Sequence, residues 1–542
     1  MQRYLLALMA AALACMGLAG CGDGGGRSGA EGTADPKAAC ISLDGKQVAA
    51  LSIGLPTNGA RVTGTQLLPA TSDNSESCRV NGQIDSVDPA AQPILFEADM
   101  PSNWNGKALH LGGGGWDGSI SNAMFTLTLI APPSASSRGY VTFASDSGHG
   151  SAPGDASFAL NAEQLQNFGS DQLKKTHDTV MALVKLRYGA APGRTYFLGG
   201  SNGGREAFAA FQRWPDDYDG VIAAFPAFDW VALFMKLQQI GVAMRSNGGA
   251  GWFGPAKAAT LMTATLAACD ALDGVKDGLV SNMSACNFNP AILRCAGGAD
   301  LGDRCYSDAQ LHTLAVMTSK ADSPYVLANG VASFPRFNVG ADWAPMIGTT
   351  AAFNLPPDVA QLGAIHWFGD QLIRYILLRD ANADTLTFDP LNPGSLLPRL
   401  QQASAVLDQT NPDITQYLGK GGKLILLHGQ ADSLVPTQPT IDYYNQLVQK
   451  FGQSQVDQSV RLYLVPGFGH WTGAFNPAGA LPLLDTLENW VENGTAPGLL
   501  VMTDTNASTK GRTRPICAYP TWPKYNGNGD PNQAGSFTCV AN

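Results

Sequence analysis

Apolar and polar positions follow two rhythms along the chain. Between Pro93 and Ala144 the segments "PILFEADM", "KALHLGGGG" and "YVTFASD" are short apolar runs closed by turn residues, the pattern of strands. "LKKTHDTVMALVKLRYG" repeats at helical spacing, with Leu173, Val180, Leu183 and Val184 on one face and Gly189 as its stop. "YFLGGSNGGREAF", Tyr196 to Phe208, reads as a buried strand, a turn packed with glycine and the first turn of a helix. "FQRWPDDYDGVIAAFPA" continues that helix, breaks at Pro215 and supplies another buried strand. Strands alternating with helices predict an α/β protein with a parallel sheet covered on both faces.

The rhythm stops near Ala227 and returns at Lys423 with "KLILLHGQAD", a helix near "TIDYYNQLVQKFG" and "VRLYLVPGFGH". Between these points lie helical segments, loops rich in Gly, Pro and Asp, and many aromatics: Trp230, Phe234, Trp252, Phe253, Trp343, Trp367, Phe368 and Tyr375. We read a catalytic α/β domain over 39–227 and 419–542, interrupted by a lid domain over 228–418. The lid aromatics are expected to offer flat apolar surface to a substrate ring.

The ends and the composition add a compartment. "MQRYLLALMAAALACMGLAGC" has an early Arg3 and a short apolar run, which is an export signal over 1–20 rather than a membrane span. Its Leu18-Ala19-Gly20-Cys21 ending matches a bacterial lipobox and makes Cys21 the lipidated first residue of the mature chain. Gly22 is not the aspartate of an inner-membrane retention signal, so an outer-membrane anchor is expected. The glycine-rich stretch up to Ala38 suits a flexible tether over 21–38. A formal net charge of -10 argues against nucleic acid as a partner. Beyond Cys15 and Cys21 the cysteines are Cys40, Cys78, Cys269, Cys286, Cys295, Cys305, Cys517 and Cys539. An even number in an exported chain points to disulfides, and pairing neighbour to neighbour gives local loops.

Gly199-Gly200-Ser201-Asn202-Gly203 fits G-x-S-x-G. In a chain with 62 glycines the match is weak alone. Its place between an apolar strand and a helix is what a nucleophile elbow requires. A serine needs a base to take its proton, and the α/β-hydrolase order is Ser, acid, His. Of the seven histidines, His428 lies inside a strand end and His470 closes the glycine-rich "VPGFGH". His470 is the better base, and Asp432, after the strand "KLILLHG", is the acid that orients it. The oxyanion hole is expected from the backbone N–H of Asn202 and from the run Gly112 to Gly115 in "LHLGGGGWDGS", with Gly114 and Gly115 as its donors.

A second signal lies in "CDALDGVKDGLVSNMSAC". Asp270, Asp273 and Asp277 converge there, interleaved with the carbonyls of Val275 and Leu279, a donor set for a hard cation such as Ca²⁺. The other reading, a solvated acidic turn, stays open on the residues alone.

Together "GGGGWDG", "GGSNGGRE", "CDALDGVKDGLV", "HGQADSLVP" and "VPGFGH" resemble the tannase and feruloyl esterase family over nearly the whole mature chain. The resemblance implies an α/β-hydrolase core with a large lid, a triad of Ser201, Asp432 and His470, and structural Ca²⁺ held by Asp270, Asp273, Val275, Asp277 and Leu279, with no organic cofactor. It also implies the disulfides Cys40–Cys78, Cys269–Cys286, Cys295–Cys305 and Cys517–Cys539. One departure stands out. The family usually carries a disulfide between the residue before the serine and the residue after the histidine, and here these are Gly200 and Trp471. The Trp471 ring is expected to pack into the space that Gly200 leaves.

The resulting expectation is a lipid-anchored serine carboxylic ester hydrolase working through an acyl-enzyme on small aromatic acid esters such as gallates, hydroxycinnamates or hydroxyethyl terephthalate. The alternatives are a hydrolase of aliphatic polyester oligomers and a non-catalytic surface binding lipoprotein on a hydrolase fold.

Overall fold

The structure, a computed structural model, describes residues 35–121 and 126–541. The expected leader, Cys21 and the tether as far as Ala34 lie outside the described residues. The expected tether end does contain structure: the helix Pro36–Ile41 begins inside it and buries Cys40.

Ten strands form the main sheet. They are β1 (Gln47–Val48), β2 (Ala60–Leu68), β3 (Ser77–Ile84), β4 (Ile94–Pro101), β5 (Lys107–Leu111), β6 (Val141–Ser145), β7 (Arg194–Gly200), β8 (Gly220–Ala224), β9 (Lys423–Gly429) and β10 (Val460–Val465). Their order is β1-β2-β3-β4-β6-β5-β7-β8-β9-β10. Pairing is antiparallel from β1 as far as the β4–β6 pair and parallel from β6 to β10. The parallel strands are buried along nearly their whole length, as strands covered on both faces must be. Successive residues point to opposite faces. Phe197, Val221, Leu424 and Leu426 enter one core with Phe208 and Phe211, while Leu198, Ile222, Ile425 and Leu427 enter the other with Trp490. The β2–β3 pair lies ahead of Pro93, where the sequence reading assigned no strand. Its β3 alternates buried Val80 and Ile84 with half-buried Arg79, Asn81 and Gln83.

The amphipathic helix runs Gln172–Tyr188 and ends on Gly189 at φ 77°. The elbow helix Asn202–Arg213 stops ahead of Pro215. Between β8 and β9 the chain is mainly helical: Trp230–Gly249, Pro255–Cys269, Asp308–Thr318, Val359–Gln371 and Leu397–Leu407. Trp230, Phe234, Phe253 and Trp343 are all buried in one hydrophobic cluster here. This corrects the expectation for those four rings, which make the lid's own core; Trp252, Trp367, Phe368 and Tyr375 are half-buried. The cluster reaches Trp116, in the glycine-rich loop after β5, whose ring meets Trp230 at 4.9 Å and Phe234 at 5.3 Å.

Cys40–Cys78, Cys269–Cys286, Cys295–Cys305 and Cys517–Cys539 are bonded. Four disulfides mark a chain that folds in an oxidising compartment and is exported. Among the described residues no helix is long and apolar enough to cross a membrane.

Candidate active site

β7 ends at Gly200 and the chain reverses at Ser201 into the helix Asn202–Arg213. Ser201 holds φ 61° and ψ -120°, a backbone state costly for any residue with a Cβ. The surroundings over-determine it. Its N–H donates to the Ala224 carbonyl at 3.1 Å, and its carbonyl accepts from the N–H groups of Arg205 and Ala227. Glycine is required on either side because backbones touch: a Cβ on Gly199 would stand 1.9 Å from the Gly203 oxygen.

Asp432 and His470 occupy the loops that follow β9 and β10. His470 Nε2 lies 3.0 Å from Ser201 Oγ, and its Nδ1 lies 2.9 Å from Asp432 Oδ2. The other carboxylate oxygen, Oδ1, accepts the backbone N–H groups of Leu434 and Val435 at 2.8 and 2.9 Å. Burial alone would raise the Asp432 carboxyl; the charge and hydrogen bond of His470, with the His428 imidazole close by, outweigh it and hold the group well below the usual carboxylate range. His428 is a supporting residue: its ring nitrogens meet Thr440 Oγ1 at 2.8 Å and the Val435 carbonyl at 3.0 Å, with Nε2 3.7 Å from Asp432. Two lid contacts fix the Asp432 loop. Asn338 Nδ2 donates to the Gln430 carbonyl and the Asp342 N–H to the Ala431 carbonyl, both at 2.9 Å.

Gly200 is flanked by a ring that the sequence reading missed. A Cβ on Gly200 would meet Phe225 Cε2 at 2.8 Å and Leu129 Cδ1 at 3.1 Å. The space is therefore filled by Phe225, at the end of β8, and not by Trp471. Trp471 packs edge-on against Phe225, with centroids 4.8 Å apart. No motif signals Phe225; only the order of β7, β8 and β9 in the sheet brings it between the serine and histidine loops.

The glycine run is partly committed. Gly112 donates its N–H to the Leu198 carbonyl, and Gly113 donates to Glu206 Oε2, each at 2.9 Å. Gly114 and Gly115, the expected oxyanion donors, follow in the same loop. Asn202 opens the helix, so its backbone N–H has no intrahelical acceptor. Beneath the loop lie buried Asp117, Arg205 and Glu206, which the motifs "GGGGWDG" and "GGSNGGRE" contain but to which the sequence reading assigned no role.

In the lid turn closed by Cys269–Cys286, Asp270 accepts the N–H groups of Asp277 and Gly278 at 3.2 and 3.1 Å. Asp277 Oδ2 contacts the Arg514 guanidinium, and Asp273 Oδ2 is buried without a partner. Burial raises Asp273 to about 6. The three carboxylates do not bring one oxygen each within 4.8 Å of one another. His177, Asp178 and Asp217 do so, but Lys174 Nζ stands 2.9 and 3.0 Å from the two carboxylates and already supplies the positive charge.

Comparisons with known proteins identify the family and the fold. The family model described as tannase and feruloyl esterase matches residues 78–540. An uncharacterized esterase of Agrobacterium fabrum is 38% identical, covering 92% of this chain and 93% of its own. The mono(2-hydroxyethyl) terephthalate hydrolase of Piscinibacter sakaiensis is 30% identical, covering 87% of each. The crystal structure of feruloyl esterase B from Aspergillus oryzae superposes with a TM-score of 0.76 at 23% identity, over 93% of this chain and all of that one, which shows a shared α/β-hydrolase fold. With its serine turn at the end of β7 and a family match over most of its length, the chain belongs to the tannase and feruloyl esterase family of carboxylic ester hydrolases.

Proposed function

We propose that this chain is a serine esterase of aromatic acid esters, with Ser201 as nucleophile, His470 as general base and Asp432 as its orienting acid. One observation carries the reading: His470 spans Ser201 Oγ and Asp432 Oδ2 with contacts of 3.0 and 2.9 Å. Ser201 Oγ attacks the ester carbonyl as its proton passes to His470 Nε2. Asp432 accepts the Nδ1–H throughout and stabilises the imidazolium. The carbonyl oxygen gains the negative charge and meets the backbone N–H of Asn202 and those of Gly114 and Gly115. Collapse breaks the ester bond, and the leaving alcohol takes the proton from Nε2. Water, deprotonated by His470, then attacks the acyl-enzyme and releases the acid and Ser201.

The aromatic acyl class is supported by the family description and by the terephthalate ester that the Piscinibacter relative's name specifies. Turnover of hydroxycinnamate, gallate and hydroxyethyl terephthalate esters, measured beside an aliphatic polyester oligomer, tests it. Hydrolysis of the aliphatic oligomer alone would overturn it.

The lid turn would hold Ca²⁺ through Asp270, Asp273, Asp277 and the carbonyls of Val275 and Leu279; the orphaned Asp273 Oδ2 and the all-oxygen donor set fit a hard cation. The ion would pin the turn and takes no part in the reaction. The lipobox at Cys21 supports a lipid anchor that tethers the enzyme to the outer membrane.

A further inference from the structure

The lid contains a cavity of about 490 Å³ walled entirely by the chain between β8 and β9. Lys236, on the helix Trp230–Gly249, lines it and is 1% exposed. Its Nζ donates to the Ser319 carbonyl at 2.7 Å, just past the helix Asp308–Thr318. That is one acceptor for three donors. Among the described residues Lys236 has no ion pair; burial alone acts on the ammonium and lowers its pKa to about 8. The group therefore still carries its charge at neutral pH.

A buried charge costs free energy unless something pairs with it. Here the unpaired charge stands at the wall of a cavity large enough for a small ligand. The rest of the wall selects what the anion is attached to. Val242, Val316, Leu386 and buried Phe388 supply apolar surface. His312, Lys320 and Asp389 are the other titratable groups on it, and all three are exposed. Asp389 Oδ1 already accepts the Leu391 N–H at 2.9 Å. Gln239, one helical turn beyond Lys236, has its Oε1 buried without a partner, a second unmet polar group on the same wall.

We propose that this cavity is a second, non-catalytic binding site for a small apolar carboxylate: the carboxylate pairs with Lys236, and its hydrocarbon body lies against Val316, Leu386 and Phe388. Ester hydrolysis releases an acid of this class, so the enzyme's own product is a fitting occupant. An aromatic product rests on the aromatic acyl reading above; a carboxylate site as such does not. Ser201, Asp432 and His470 take no part in the wall, so the site can fill while the catalytic centre is occupied.

The test is calorimetric titration of benzoate into the full mature enzyme after sulfonylation of its active-site serine with phenylmethylsulfonyl fluoride, which blocks product binding at the catalytic centre. The sulfonylated parent should bind benzoate at one site, at least about 10-fold more tightly than neutral benzamide, the scale of one charge-assisted hydrogen bond. Lys236→Met should weaken benzoate at least about 10-fold and remove the preference over benzamide. Methionine keeps the length of the stem and removes a buried charge. If that variant does not fold, Lys236→Gln carries the same expectation. Acetate bound as tightly as benzoate would overturn the ligand class, because the apolar wall would then contribute nothing. Benzoate binding unchanged by Lys236→Met, or none to the parent, would overturn the site. An enzyme that gains no mass from the sulfonyl fluoride defeats the nucleophile assignment instead; parent and Lys236→Met are then compared unmodified, and that comparison still decides the site.

Discussion

The ring of Phe225 stands against the ring of His470, with centroids 4.9 Å apart and planes inclined at 61°. The same ring covers Gly200 and supports Trp471, so one side chain packs at once against the residue before Ser201, against His470 and against the residue after it. Phe225 itself adopts φ 33°, unusual for a residue with a Cβ.

Phe225→Ala should therefore act on both stability and chemistry. The buried ring is worth about 3–5 kcal/mol of unfolding free energy. A small drift of His470 from Ser201 should lower kcat by up to about 10²-fold. Phe225→Leu should recover most of the stability and part of kcat. Gly200→Cys should destabilise the fold by about 1–3 kcal/mol, because its Cβ meets the ring. Denaturant unfolding and kcat measured on the same preparations check both effects.

Ser201→Ala and His470→Ala should each abolish ester turnover while circular dichroism and Tm stay near those of the parent. Asp432→Asn should cost about 10⁴-fold in kcat through the wrong imidazole tautomer. Folded Ser201→Ala with near-normal turnover would remove the mechanism.

The contribution of Asp146 and Asp408 to stability should fall as pH rises from about 4 to about 7. Burial raises Asp146 and Asp408 each to about 7. An unfolded aspartate loses its proton near 3.9, at about the lower end of this window. Between the two values these two carboxyls hold more protons in the folded than in the unfolded chain, so their contribution to the unfolding free energy drops with rising pH. Asp408 accepts the Val231 N–H at 2.8 Å and the Ser404 hydroxyl. Asparagine can accept the first and donate to the second, so Asp408→Asn should flatten part of that slope. Urea unfolding at several pH values reads it directly.

Chelation should lower Tm and expose the lid turn to protease, while leaving kcat per folded molecule unchanged. Calcium at about 100 times its Kd would add about 2.7 kcal/mol. Asp273→Asn should mimic chelation and remove the response to added Ca²⁺. A Tm indifferent to both would leave an acidic turn that binds no metal.

Cys21→Ser should move the enzyme out of the membrane fraction or stall cleavage of its leader. Unchanged fractionation and unchanged mass would mean a plain export signal.

Much of this protein was legible along the chain because the information is local. The parallel strands are continuous apolar runs between turns, and the helix Gln172–Tyr188 carries its stripe and its glycine stop within one segment. The order of Ser201, Asp432 and His470 could be read because each sits in a turn just beyond a strand, and a parallel sheet lines such turns along one edge. What the tertiary structure decided is what depends on neighbours distant in sequence. Whether Trp230 or Trp343 faced a substrate or the lid's interior could not be told from composition, since a buried ring and a binding ring have the same chemistry. Phe225 gained its place from the strand order, which sets β8 between the strands that deliver Ser201 and Asp432. Asp117 and Glu206 are ordinary acids in the sequence; only the fold buries both at the glycine-rich loop beside Ser201's helix.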